Sequence, residues 1–218
     1  MSGVTKENLV DILEKIYATI EENKSYLSKL DTEIGDGDHG FSISNGFKNV
    51  HDKLGEFSAG GIGDLLKKSG FEIIKVVGGA SGAVFGTLFT GQASFYTKKL
   101  DGKDSLSLEE LTGMLTEALQ QIKQRGGAQP GDKTMIDALE PAIEELKNGV
   151  KEGLRFGEAF TKAAQRAKAG AESTKNMVAK RGRSKNVGER SIGYMDPGAM
   201  STALIFTAIA EYFTEKKL

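Results

Sequence analysis

The chain has 218 residues and a formal net charge of −1, with 27% charged and 39% hydrophobic residues. These proportions are typical of a globular protein with a substantial core, and the balanced charge argues against binding to nucleic acid or to an anionic membrane. The absence of cysteine excludes disulfides and thiolate metal sites. The chain has no signal-peptide-like start and no apolar run of roughly 18 residues, so we expect a cytoplasmic protein outside the membrane.

The first half of the chain has a helical period. An amphipathic helix is predicted after Thr5, a suitable N-cap, because apolar residues recur three and four positions apart at Leu9, Ile12, Leu13, Ile16 and Ile20. A second helix is predicted from about 39 to 54, and a third carries Leu65, Leu66, Ile73 and Ile74. The fourth, from about 80 to 100, is apolar nearly all round, so we expect it to be central and buried.

Start signals are clear in the second half. Ser107 and Glu110 form a capping box for a fifth helix toward residue 125, and a sixth helix is predicted over 134–148 with Gly149 at its C′ position. A seventh is predicted over 156–180, and the eighth begins with Asp196 as N-cap and Pro197 at the first helical position. No segment alternates with period two, so we predict an all-α protein of about eight helices in one domain over residues 1–218.

Glycine is abundant, at 28 of 218 residues against a typical share of about 7%. Most glycines lie where the helices are joined, at about 35–40, 55–63, 78–82, 126–131 and 182–198. In an up-and-down array of helices, alternate joints lie at the same end. Several of these joints could therefore meet in one site.

The joint "DTEIGDGDHG", residues 31–40, is a candidate cation site. Asp31, Asp36 and Asp38 can converge only if the backbone is irregular, which Gly35 and Gly37 permit. Converging carboxylates repel one another unless a cation lies among them, and oxygen ligands favour Mg²⁺, Mn²⁺ or Ca²⁺. The alternative is a polar turn that caps the next helix, and the residues alone leave both interpretations open.

Three other stretches are candidates for anion contacts. "VVGGASGAVFG", residues 76–86, could present amides at a helix N-terminus, although this segment alone slightly favours a close-packed turn into a buried helix. "RGGAQPGDKTM", residues 125–135, is not a Walker A motif, because an extra Asp132 intervenes and a helix precedes it; amides near a phosphate remain possible. The basic residues of 180–199 either belong to a solvated loop or contact phosphate.

The two histidines differ. His51 is expected at the surface, whereas His39 directly follows the third aspartate and is the better candidate for a site residue.

The motifs "DTEIGDGDHG", "GGASGAVFGT", "RGGAQPGDKTMIDAL" and "GRSKNVGERSIGYMDPGA" resemble, in order and spacing, those of the DhaL family. Its members are ADP-binding subunits of dihydroxyacetone kinases that depend on the phosphotransferase system. The resemblance implies a barrel of eight antiparallel amphipathic helices with the nucleotide site at one end. It also implies two Mg²⁺ ions held by the aspartates that match Asp31, Asp36 and Asp38.

The resemblance further implies a set of nucleotide contacts. They match His39, Ser42, Gly78, Gly79, Ala80, Ser81, Gly82, Gly126, Met135, Arg183, Asp196, Pro197 and Gly198. Gly126 and Met135 match positions around the adenine, and Arg183 would neutralise phosphate charge. Two departures from the family pattern are Ser42, often Asn, and Gly37, often Ala, so we expect a retained site with altered contacts.

The implied activity is phosphoryl transfer with ADP as a tightly bound coenzyme. A phosphohistidine protein of the DhaM type would recharge ADP to ATP, and the phosphoryl group would pass to dihydroxyacetone held by a DhaK-type subunit. No catalytic nucleophile is assigned to this chain. The alternatives are the nucleotide domain of an ATP-dependent dihydroxyacetone kinase or fatty-acid kinase system, and a regulatory module that senses the nucleotide state and docks on a transcription regulator.

Overall fold

Helices make up nearly all of the regular structure in residues 3–218, the part of the chain that the computed structural model describes. The all-α class is therefore confirmed. The helices are α1 (Lys6–Ile34), α2 (His39–Asp52), α3 (Leu54–Phe57), α4 (Ile62–Val77), α5 (Gly79–Lys99), α6 (Leu108–Gly126), α7 (Ile136–Glu152), α8 (Phe156–Ser173) and α9 (Pro197–Glu215). Two antiparallel strands of two residues each, β1 (Val4–Thr5) and β2 (Ser105–Leu106), pair beside the start of α1.

The long helices pack in the order of the chain and form a closed ring. Each of α1, α2, α4, α5, α6, α7, α8 and α9 contacts the next, and α9 returns to pack against α1. One continuous cluster of buried apolar side chains fills the ring, with Phe47, Phe85, Phe206 and Phe213 among its largest members. The finer description as an antiparallel barrel stays a prediction. Within residues 3–218, no helix is both long enough and apolar enough to cross a membrane.

The predicted helix starts are confirmed because their caps form. The Thr5 side chain accepts a hydrogen bond from the Asn8 amide, and Ser107 and Glu110 exchange the two bonds of a capping box. The middle of α5, residues 85–89, is buried as expected, although both ends of this helix are exposed. Local side-chain chemistry therefore decided where these helices begin.

Two predicted helix ends are wrong. Helix α7 continues through Gly149 and ends at Glu152, capped by Gly153, which has the left-handed φ of 69°. Gly149 is needed for packing instead, because a Cβ there would lie 3.0 Å from Cβ of Ala159 in α8. Helix α8 ends at Ser173, well before residue 180, and the chain continues as a short 3₁₀ turn at Thr174–Asn176.

Close approach of α7 and α8 depends on Gly170. A Cβ at this position would lie 2.1 Å from the Asp137 carbonyl oxygen and 3.0 Å from Cα of Ala138, both of them backbone atoms of α7. That carbonyl is free for this approach, because Pro141 four residues later has no N–H to donate.

We therefore expect Gly170→Ala to lower the free energy of unfolding by about 1–3 kcal/mol, since two packed helices must separate. Urea denaturation followed by circular dichroism measures the change. Gly55→Ala is the matched control, because nothing lies within 4 Å of a Cβ at that helical position. Equal midpoints for the two variants would contradict this account of the α7–α8 contact.

Candidate functional site

A cavity of about 330 Å³ opens at one end of the helix ring. It is bordered by the joints between α1 and α2, α4 and α5, α6 and α7, and α8 and α9. The glycine-rich joint at 55–63 does not border it, and Gly60 instead accepts a hydrogen bond from Lys6 at the start of the chain. Alternate joints therefore meet at the same end, as the succession of helices predicts.

The cavity brings together nearly all of the residues singled out from the sequence. The bordering residues are Asp31, Asp36, Asp38, His39, Ser42, Gly78, Gly79, Ala80, Ser81, Gly126, Met135, Arg183, Asp196, Pro197 and Gly198. Gly82 is the exception. It is buried in the first turn of α5, where a Cβ would lie 3.3 Å from the carbonyl carbon of Val77, so its part is to let α5 begin close to the end of α4.

The three aspartates converge on one point. Each can place a carboxylate oxygen within 4.8 Å of the others. Asp31 lies in the last turn of α1 and is 7% exposed, whereas Asp36 and Asp38 follow on the exposed loop. Gly37 has a φ of 80° in that loop, a conformation that favours glycine. Burial raises the pKa of Asp31, and the neighbouring carboxylates add to this.

The same cluster also caps the next helix, so the two interpretations of this loop are compatible. The Asp31 carboxylate accepts a hydrogen bond of 3.2 Å from the backbone N–H of His39, the first residue of α2. Asp38, at the N-cap position itself, makes no such bond with its side chain. The cap is therefore a carboxylate from the preceding helix.

Arg183 supplies the positive charge nearest to this cluster. Its guanidinium donates hydrogen bonds to Asp36 and to Asp38, the latter at 3.1 Å. The bond from Arg183 holds the pKa of the Asp36 carboxyl below its usual range. The family resemblance implied a contact between Arg183 and phosphate, whereas in this structure its partners are the two exposed aspartates.

His39 is buried and uncharged at neutral pH. Its ring is 6% exposed, and burial lowers its pKa to about 4. The ring nitrogen Nε2 lies 2.8 Å from the Ser201 hydroxyl on α9, while Nδ1 faces Ser81 on α5 at 3.5 Å. His39 therefore joins three helices at the floor of the cavity.

Four helix N-termini within residues 3–218 border the same cavity. In the described part of the chain, α2, α5, α7 and α9 all begin at residues that border it. A helix N-terminus carries a partial positive charge and unpaired amides, both of which favour anions. Helix α5 begins at Gly78–Gly79 with no side-chain cap, so its first amides have no side-chain partner. Gly78 has the left-handed φ of 66° that this turn requires.

Apolar side chains line the deeper wall. They are Val77, Val84, Phe85, Ile122, Ala128, Met135, Ile136 and Pro197. The cavity thus combines an apolar wall, several helix N-termini and three carboxylates. Such a combination suits a ligand with an apolar ring at one end and an anionic group that binds together with a cation at the other.

The sequence does not indicate the part that Lys133 plays. It stands there as a mismatch to a Walker A motif, whereas in the structure the residue is 1% exposed and its ammonium contacts four backbone carbonyls. The loop amides considered as phosphate contacts are already used, because Gly131 and Thr134 donate to the Asp137 carboxylate. A lysine directly after an aspartate in a glycine loop gave no signal for this arrangement.

We expect Arg183→Met to raise the pKa of the Asp36 carboxyl toward its ordinary value, because the bond that stabilises the charged form is lost. Carbon-detected NMR titration of the nucleotide-free protein measures this pKa. Arg190→Met is the control, since Arg190 is an exposed residue of the same loop that does not border the cavity. An unchanged Asp36 titration in Arg183→Met would contradict the ion pair.

Comparison with known proteins gives a consistent result. The family model described as DAK2 domain matches residues 33–211. The chain is 37% identical, over 95% of its length and 97% of the relative's, to the PEP-dependent dihydroxyacetone kinase, ADP-binding subunit DhaL of Escherichia coli K12. It is 39% identical, over 92% of its length and 91% of the relative's, to a DhaL subunit of kinase 2 of Listeria innocua.

Among solved structures, the fold matches the dihydroxyacetone kinase of C. freundii. The TM-score is 0.73 at 29% identity, and the match covers 93% of this chain but only 34% of that one. The chain therefore spans about a third of the solved kinase. The same kinase has also been solved in complex with AMP-PNP and Mg²⁺, with the same TM-score.

Proposed function

This chain belongs to the DAK2 domain family, among its DhaL-type subunits, and from that membership we propose that it is the ADP-binding subunit of a phosphoenolpyruvate-dependent dihydroxyacetone kinase. The composition of the cavity supports this proposal. Three convergent carboxylates, four helix N-termini and an apolar wall border the same cavity in the described part of the chain. A nucleotide that binds together with a metal ion has the matching parts.

We propose that Asp31, Asp36 and Asp38 hold two Mg²⁺ ions. The donor set fits this metal, because it consists of carboxylate oxygens on an irregular loop, without nitrogen or sulfur ligands. Mutual repulsion among these carboxylates is the feature that a bound cation would relieve. When bound, Mg²⁺ supplies charge neutralisation at the phosphates of the nucleotide.

The remaining residues of the cavity divide between the two ends of the nucleotide. The amides of Gly78, Gly79, Ala80 and Ser81 at the start of α5, with Ser42 of α2, are assigned to the phosphates. Gly126 and Met135 are assigned to the adenine, beside the apolar wall. Arg183 adds positive charge at the phosphate end, and the turn of Asp196, Pro197 and Gly198 borders the cavity at the start of α9.

The chemistry of this chain is positioning and charge neutralisation, which are the main requirements of phosphoryl transfer. His39 is a positioning residue in this assignment, because its ring nitrogens face the Ser201 and Ser81 hydroxyls. The groups that give and receive the phosphoryl lie on other proteins. A DhaM-type phosphohistidine protein would recharge the bound ADP, and a DhaK-type subunit would present dihydroxyacetone.

We expect the purified wild-type chain to carry ADP and two Mg²⁺ ions, and Asp36→Ala to fold but to lose both, because the remaining carboxylates no longer complete the ligand set. Native mass spectrometry measures the bound masses, and circular dichroism checks the fold. Glu33→Ala is the matched control, since Glu33 is an exposed carboxylate of the same segment outside the cavity. Stoichiometric ADP and Mg²⁺ in Asp36→Ala would disprove the metal assignment.

A second candidate is a domain that exchanges nucleotide freely, as an ATP-dependent kinase must. It is favoured by similarity to longer kinases, such as an L-erythrulose 1-kinase from Mycolicibacterium smegmatis that is 34% identical, of which this chain covers 36%. Retention of ADP through gel filtration supports the coenzyme, whereas rapid replacement by free ATP supports exchange. Docking on a transcription regulator stays a prediction, to be tested by pull-down alongside a reconstituted transfer assay.

A further inference from the structure

The connection between α8 and α9, residues 174–195, is here called the strap. We propose that Lys133 is a positioning residue that holds the two ends of the strap together, and thereby sets the rate at which nucleotide leaves the cavity. The part of this inference that concerns nucleotide rests on the proposed function, whereas the part that concerns the strap does not.

The ammonium of Lys133 joins the incoming and outgoing ends of the strap. Nζ donates to the carbonyl oxygens of Thr174 at 2.8 Å and Met177 at 3.3 Å on one side. It donates to those of Ser191 at 2.8 Å and Tyr194 on the other side. An ammonium has three protons, so these four acceptors use its whole donor capacity.

This arrangement is costly in two ways. Lys133 is 1% exposed, and no carboxylate in residues 3–218 forms an ion pair with it, so its hydrogen-bond partners are carbonyl dipoles and Asp196 acts on its charge only from a greater distance. The backbone of Lys133 has a φ of 60°, in the left-handed region that glycine occupies without strain. The four carbonyl contacts of its ammonium explain why a lysine occupies this strained position.

The strap carries residues that border the cavity. They are Arg181, Gly182, Arg183 and Ser184, which lie in the middle of the strap's sequence and are here called its tip; Lys133 borders the same cavity. Exposed ion pairs from Arg183 to Asp36 and Asp38 hold this tip, together with a pair at 3.2 Å from the exposed Arg181 to the buried Asp132. Exposed ion pairs are weak and screened by salt.

The buried base therefore controls how long the strap stays in place. Besides the ammonium, the base has the Ala179 amide bonded to the Ser191 hydroxyl at 2.9 Å, and the Gly193 amide bonded to the Lys175 carbonyl at 2.7 Å. Without the ammonium, the Met177 and Tyr194 carbonyls lose their donor, while those of Thr174 and Ser191 each keep one backbone amide. The two unpaired carbonyls can reach water only if the strap moves outward.

Two variants distinguish the effect of the Lys133 ammonium from that of its strained backbone. Lys133→Met keeps the length of the side chain but removes its donors, and Lys133→Gly also relieves the left-handed φ. Lys168→Met, on the exposed face of α8, is the control for the loss of one positive charge. In the nucleotide-free protein, we expect hydrogen exchange at the strap amides to be about tenfold faster in both Lys133 variants, with α4 and α5 unchanged.

The second measurement is the release of methylanthraniloyl-ADP in the presence of Mg²⁺, chased with unlabelled ADP. We expect dissociation about tenfold faster in both Lys133 variants, with association within about twofold of the wild type, because contacts that close the cavity act mainly on departure. Lys168→Met should match the wild type in both measurements.

Three results would overturn the inference. Wild-type protection of the strap in both Lys133 variants would show that the ammonium does not hold it, and loss of protection spread over all helices would make Lys133 a determinant of global stability. A loosened strap with unchanged dissociation would remove the link to nucleotide exit. If the wild-type chain bound no nucleotide, the proposed function would fail, and the exchange measurement would still decide the role of Lys133 in the strap.

Discussion

Closure of the helix ring by α9 packing against α1 is the constraint on which the other features depend. In a ring of helices that follow one another along the chain, every second joint lies at the same end. Four joints consequently border one cavity, although residues that meet there, such as Asp36 and Arg183, are 147 positions apart. The core that maintains this ring is a single apolar cluster, so the geometry of the site follows from the packing of the whole chain.

The cavity separates charge in a way that suits one type of ligand. Carboxylates gather on the loop after α1, and helix N-termini with partial positive charge surround the remaining space. A metal ion alone would leave the first amides of α5 without a side-chain partner, and a free anion would be repelled by the carboxylates. A metal-bound nucleotide satisfies both, which is why site geometry and family membership support the same proposal.

Much of the fold and of the candidate site could be predicted because the signals are local. The capping residues Thr5 and Ser107 start helices through contacts three residues away, and the glycines of 35–40 allow the aspartates to converge within a short loop. The end of α7 could not be predicted, since two glycines were available and packing against Ala159 decided which one continues the helix. The end of α8 likewise lies where the Thr174 carbonyl meets Lys133, which is distant in sequence.

The sequence by itself determined the all-α class, the helix starts and the composition of the aspartate loop, because each depends on residues within a few positions of one another. Only the tertiary structure decided that Arg183 pairs with Asp36 and Asp38, that His39 joins α2 to α5 and α9, and that Lys133 gathers four carbonyls of the strap. These contacts join residues that are roughly 40 to 160 positions apart in the sequence. Only closure of the ring brings them within hydrogen-bonding distance.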